Sequence, residues 1–160
     1  MKNFKTIDLF AGAGGITEGF KQAGAECVFA NDFNPYACET FRHNHPGVEV
    51  VTGSIEDLDV AKIRQSTQLE KGELDILVGG PPCQGFSINA PERFLEDPRN
   101  SLFRHYLRFV DEFAPKLFMF ENVPGMLSLG GGKIFDTVIN QMQERGYRIS
   151  ARILLSAHYG

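Results

Sequence analysis

The feature that most narrows the fold of this chain is an alternation: short apolar runs rich in β-branched and aromatic residues are separated by longer amphipathic stretches. That order predicts a parallel sheet wrapped by helices, because a parallel neighbour is reached only through a crossover connection. The predicted strands are residues 6–10, 27–31, 48–52, 74–79, 117–121 and 148–155. Between them, Ile16, Phe20 and Ala23 share one helical face with Gly24 as a stop, and Asn34 followed by Pro35 supplies the cap and first residue of a second helix. Leu102, Tyr106, Phe109, Val110 and Phe113 recur at helical spacing, as do Ile134, Phe135, Val138, Ile139 and Met142 before Gly146, and both stripes are assigned to the core. The expected fold class is α/β, a doubly wound, mostly parallel sheet.

Length and composition fit one soluble domain: 160 residues, 42% hydrophobic and 22% charged, without an apolar run of membrane-spanning length or a secretory leader. The expected location is the cytoplasm, with no membrane partner. Three cysteines, Cys27, Cys38 and Cys83, are an odd number without metal-type spacing, which suits a reducing compartment. The net charge of −4 weighs against a polyanionic partner, yet Arg93, Arg99, Arg104, His105 and Arg108 form a local basic segment that could meet phosphates.

The run Thr6-Ile7-Asp8-Leu9-Phe10-Ala11-Gly12-Ala13-Gly14-Gly15-Ile16 reads as a strand, a glycine turn and a helix start. Such a turn brings backbone donors close to a nucleotide-like ligand. A dinucleotide fingerprint needs a third glycine at position 17, where Thr17 stands, so a ligand with a nucleoside but no phosphate fits better. Asp32, at the end of the second strand, is placed to accept from both ribose hydroxyls, and Phe33 beside it can stack on a purine.

The fourth strand is unbroken and apolar, so its carboxyl end is expected to open onto the ligand crevice. Cys83 follows there in Gly79-Gly80-Pro81-Pro82-Cys83-Gln84-Gly85, on an approach fixed by two prolines. Cys27 and Cys38 read as small buried residues and Cys83 as a nucleophile. Residues 84–100 are long for a connection and suit a lid or binding loop. The fifth strand ends in Glu121-Asn122-Val123; a carboxylate buried at such a place is expected to have a raised pKa and to share a proton. His43 and His45 lack further ligands at zinc-type spacing, so no metal is expected.

These residues resemble the cytosine C5 DNA methyltransferase family. Asp8-Leu9-Phe10-Ala11-Gly12-Ala13-Gly14-Gly15 is similar to its cofactor loop, Pro81-Pro82-Cys83-Gln84 to its catalytic motif and Glu121-Asn122-Val123 to its third signature. The resemblance implies an S-adenosyl-methionine-dependent fold, with double-stranded DNA as the partner and membership of a restriction–modification system. It also implies that Cys83 adds to C6 of a flipped-out cytosine, that Glu121 contacts N3 and the exocyclic amine, and that Asn122 belongs to the catalytic set. Phe10, Ala11, Gly12, Gly14, Gly15, Ile16 and Pro81 would line the cofactor, Asp32 and Phe33 would hold its ribose and adenine, and Ile55 and Leu102 would flank the ring. Gln84, Ser87 and Arg99 would contact DNA. Ser54 stands where the family usually has an acidic residue, so the adenine amine contact is weakened or made by Ser54 itself.

The sequence ends where an arginine-bearing motif of the family would begin, so the expectation is a partial catalytic domain over 1–160. The target-recognition region and closing segment would come from elsewhere, a second polypeptide being one source. Three alternatives stay open: a tRNA cytosine C5 methyltransferase, a non-catalytic cofactor-binding or assembly subunit, and a dinucleotide-dependent oxidoreductase. The Pro-Pro-Cys-Gln run and the missing third glycine speak against the last.

Overall fold

A computed structural model gives the fold of residues 3–82 and 101–159; Cys83, Gln84, Ser87, Arg93 and Arg99 lie outside these described residues. The chain divides into two compact units, the first built from residues up to Gly85 with Ser101–Asn122, the second containing Val123–Gly160.

The first unit carries a five-stranded, wholly parallel sheet: β1 (Phe4–Leu9), β2 (Ala25–Asp32), β3 (Glu49–Thr52), β4 (Ile76–Gly79) and β5 (Leu117–Phe120), in the order β3-β2-β1-β4-β5. Helices α1 (Gly15–Gln22), α2 (Pro35–Asn44), α3 (Val60–Ser66) and α4 (Ser101–Phe113) lie between the strands in sequence. The order reverses between β1 and β4, where Asp8 faces Val78 and Leu9 faces Gly79 across the ladder. That reversal is the switch point at which open α/β sheets bind ligands, beyond the carboxyl ends of the strands.

The sheet is central, and its inner strands carry the apolar runs expected of a surface covered on both faces. Ile7, Leu9, Phe29 and Leu77 are fully buried, as are Tyr106, Phe109 and Phe113 of α4. Phe109 stacks on Phe113 and tilts against Phe29, while Phe103 and Tyr106 meet Phe120 edge-on. Each such side chain contributes about 1.5–3 kcal/mol relative to exposure. Close packing of α4 needs Gly79, because a Cβ there would lie 2.7 Å from the Tyr106 ring. At the opposite edge the buried Asp75 accepts from the Lys5 backbone N–H at 2.8 Å and from Lys116 Nζ at 2.6 Å, tying the entries of three strands.

Five predicted strands form, with ends shifted by a residue or two. The sixth does not: residues 148–155 adopt no strand, and Ile153, Leu154 and Leu155 are solvent-exposed. An apolar alternation becomes a strand only when a neighbouring ladder takes its hydrogen bonds, and no described strand pairs with it. Helix α3 escaped sequence reading because seven residues with two buried positions, Val60 and Ile63, show no period; Asp59 caps it by accepting from the Lys62 N–H at 3.2 Å.

The second unit contains the expected final helix, α5 (Lys133–Glu144), with Ile134, Val138 and Met142 buried on one face. It is entered through Gly130, Gly131 and Gly132, which all take positive φ.

Candidate functional site: two loops at the sheet switch point

The turn after β1 is held from β2. Phe10 takes a positive φ of 57°, uncommon for a residue with a side chain, and turns the backbone off the strand. The Ala11 N–H then donates to the Asn31 carbonyl at 3.0 Å and the Gly12 N–H to Asp32 Oδ2 at 2.8 Å. Asp32 Oδ1 accepts from the Asn34 N–H at 2.8 Å. A carboxylate offers about four acceptor positions, so roughly two remain for a pair of ribose hydroxyls after these bonds. Phe33 next to it is 73% exposed, an open aromatic face at the same edge.

The end of β3 joins this corner. Asn31 Nδ2 donates to the carbonyls of Val51 and Gly53, each at 3.0 Å, and the Gly53 N–H donates to the Asp32 carbonyl. Ser54 and Ile55 therefore follow directly beside Asp32. The Ser54 hydroxyl accepts from the Glu56 N–H at 3.3 Å, capping a short 3-10 turn, and Ile55 is buried in the core. Leu102 sits in the first turn of α4.

Gly14 is the tightest point of the turn. With φ 92° and no side chain it admits the buried ring of His45 and the Phe41 ring; a Cβ there would lie 2.6 Å from His45 Nε2. His45 is thus a packing residue at the end of α2, its ring 4.7 Å from that of Phe41. Cys38 is fully buried, and burial pushes the half-buried Cys27 thiol above its ordinary pKa. Cys27 is thereby a poorer thiolate, and Cys38 is enclosed in the core.

The second half of the site lies across the switch, at the ends of β4 and β5. The Glu121 N–H donates to the Gly79 carbonyl at 3.0 Å, extending the ladder beyond β5. The Glu121 carboxylate lies over Gly80, where an added Cβ would approach Oε2 to 2.9 Å. Asn122 Nδ2 donates to the Pro81 carbonyl at 2.8 Å. Asn122 thus holds the backbone at Pro81, and Glu121 covers the glycine before it. Sequence reasoning expected Glu121 to be buried; it is solvent-exposed, because it stands beyond the last strand residue, where the sheet no longer covers it.

The basic segment is partly consumed by structure. Arg108 donates to the Leu58 carbonyl at 2.6 Å and to the Glu56 carbonyl at 3.5 Å, and also contacts His105. Burial and the Arg108 charge hold His105 below the ordinary histidine pKa. Of this group, Arg104 is exposed.

Sequence reasoning passed over one functional-looking group. Asp8, a carboxylate in the middle of an apolar strand, is 2% exposed and accepts from the Thr17 hydroxyl at 2.6 Å. Burial raises its pKa to about 6, against the opposing hydrogen bonds from Thr17 and with a small push from Asp32. A lone acid in a fully covered strand was the available signal.

Fold and site define a class: a doubly wound α/β domain with the Asp32 corner on one side of its switch point and the Pro81 backbone, held by Asn122, on the other. The chain belongs to the C-5 cytosine-specific DNA methylase family, whose model matches residues 4–160. It is 44% identical over 156 residues to the type II methyltransferase M.AgeI of Thalassovita gelatinovora, covering 98% of this chain and 36% of that protein. It is 42% identical over 156 residues to M.XorII of Xanthomonas oryzae pv. oryzae, covering 96% of this chain and 37% of the relative. The chain thus spans little more than a third of these relatives. Among solved structures it is similar to a prophage-encoded DNA modification methyltransferase of E. coli, with a TM-score of 0.72 and 32% identity over 89% of this chain and 38% of that one.

Proposed function

We propose that this chain is the cofactor-binding and nucleophile-bearing part of an enzyme that transfers a methyl group from S-adenosyl-methionine to C5 of cytosine in double-stranded DNA. The observation that carries the reading is the pairing across the switch point: the Asp32 corner on one side, and on the other the Pro81 arm held by Asn122 beside an open Glu121 carboxylate.

The corner fits a nucleoside cofactor. Asp32 keeps acceptor capacity for two ribose hydroxyls, Phe33 offers a face to the adenine, and the turn from Phe10 to Ile16 runs alongside. When bound, S-adenosyl-methionine supplies an electrophilic methyl group on a sulfonium.

The Cys83 thiolate adds to C6 of an extruded cytosine, forming a C6–S bond and raising electron density at C5. Glu121, accessible to a base in the crevice, holds N3 and the exocyclic amine and stabilises the charge that develops on attack. C5 would then displace the methyl group from the sulfonium, with S-adenosyl-homocysteine as the leaving group; a base outside these motifs removes the C5 proton, and the electron pair of that C–H bond re-forms the C5–C6 double bond and expels the Cys83 thiolate. Asn122 acts by positioning, since its amide holds the Pro81 carbonyl two residues before the thiol.

The test is covalent capture. A duplex containing 5-fluorocytosine cannot lose a proton from C5, so the adduct accumulates after methyl transfer. The protein is incubated with this duplex and S-adenosyl-methionine, alone and with the remaining segment of a type II relative added in trans, and analysed by mass spectrometry. An adduct on Cys83 that disappears in Cys83→Ser is expected. A protein that binds the cofactor yet forms no adduct under either condition refutes the catalytic reading and leaves a cofactor-binding subunit.

A further inference from the structure

Helix α1 opens at Gly14 with no side-chain cap. The free N–H groups and positive end of such a helix ordinarily draw an anion, which is how strand–glycine–helix sites hold pyrophosphates. Here the protein supplies an anion of its own from beneath. Asp8 on β1 accepts from the hydroxyl of Thr17, in the first turn of α1, at 2.6 Å, and the Thr17 backbone N–H also favours the ionised carboxyl. Asp8 Oδ1 is buried without a hydrogen-bond partner. Thr17 stands where a dinucleotide fingerprint has its third glycine, and its hydroxyl also reaches Cys27 Sγ at 3.8 Å, so the gap a glycine would leave between helix and sheet is filled.

The groups facing Asp8 are Thr17 from α1, and Cys27 and Asp32 from β2; its neighbour on β4 is the apolar Val78. No cation in this set offsets it. With Asp32 at the end of β2, two carboxylates flank one side of the turn, and a pyrophosphate would have to settle against both.

We infer that the Asp8–Thr17 pair is a specificity determinant of this turn, closing it to phosphate-bearing nucleotides and reserving it for a nucleoside that carries no phosphate. The inference rests on the nucleoside-cofactor reading proposed above and names the residues that enforce it. Because Asp8 is neutralised near pH 6, the exclusion is strongest at neutral and alkaline pH and relaxes in acid.

The test compares S-adenosyl-homocysteine with ADP-ribose, whose pyrophosphate keeps its charge across this range, by titration calorimetry on the whole chain at about pH 8 and pH 5. At pH 8 the wild type is expected to prefer S-adenosyl-homocysteine. In Asp8→Asn that preference should shrink roughly tenfold through tighter ADP-ribose binding, the effect of one unit charge acting over about 10 Å at an effective dielectric near 20. The wild-type preference should shrink similarly at pH 5. Thr17→Ser keeps the hydroxyl and should keep the preference. Equal preference in wild type and Asp8→Asn overturns the inference; should that variant not fold, a wild-type preference constant between the two pH values overturns it as well. Absence of S-adenosyl-homocysteine binding to the wild type is a separate failure, that of the cofactor reading itself.

Discussion

Three glycines in one turn should respond differently to the same added methyl group. Gly12 has φ 55° and no atom within 4 Å of a built Cβ; Gly14 has φ 92° and would place its Cβ against His45 at 2.6 Å and Phe41 at 2.8 Å; Gly15 has neither a positive φ nor a close neighbour. Alanine at a left-handed position costs about 1–2 kcal/mol, which is the whole expectation for Gly12→Ala. Gly14→Ala adds the displacement of two buried rings, and overpacking of that kind costs roughly 1–3 kcal/mol, for a total of about 2–5 kcal/mol. Gly15→Ala, at the first position of α1, should be neutral or stabilising by up to about 1 kcal/mol through loss of unfolded-state freedom. Urea denaturation followed by circular dichroism gives all three values. If Gly14→Ala is no more destabilising than Gly12→Ala, then His45 and Phe41 do not fix the turn and the packing argument fails.

Asp8 makes a pH prediction with a definite sign. Its folded pKa of about 6 exceeds the ordinary 3.8, so the folded state holds more protons between those values and stability falls as pH rises through the window. The full effect is about 3 kcal/mol, roughly half of it between pH 5 and 8, and Asp8→Asn should abolish it. Denaturation midpoints for both proteins at the two pH values check this; parallel curves would refute it. Gly80→Ala should shift stability by less than about 1 kcal/mol, because its Cβ meets the movable end of Glu121, yet it should slow formation of the Cys83 adduct. Asn122→Ala removes a hydrogen bond contributing about 1 kcal/mol and should lower the adduct rate with little change in S-adenosyl-homocysteine affinity. Unaltered adduct kinetics in either variant would remove Glu121 or Asn122 from its role.

The layout of the site was legible because its parts are local in sequence. A strand, a glycine turn and an acid after the next strand need no long-range knowledge, and Gly12 does bond to Asp32. What sequence could not show are relations across elements. Gly14 reads as a glycine of the turn, but that it also makes room for Phe41 of α2 and for His45 just beyond it is a relation only the structure shows. Arg108 reads as a phosphate contact, but it is spent on carbonyls of Glu56 and Leu58, some fifty residues away. Thr17 was visible only as a glycine that is missing; the hydroxyl bond to Asp8 depends on how closely α1 lies on β1. Glu121 was expected in the interior because the run before it is apolar, and the strand stops one residue sooner.

The place of β1 between β2 and β4 has a consequence for how the molecule is made. Lys5 bonds to Asp75, a partner seventy residues away, and the intervening chain must be synthesised before β4 can arrive. At about 5–20 residues per second, the central strand waits roughly 4–14 s with one edge unpaired. Closing a loop of that length costs about 4 kcal/mol in chain entropy, and the ladder that repays it also brings the glycine turn after β1 beside the Pro81 backbone. The Asp32 corner and the Pro81 backbone therefore come together only once β4 is in place, and Asn122, 41 residues after Pro81, joins them later still.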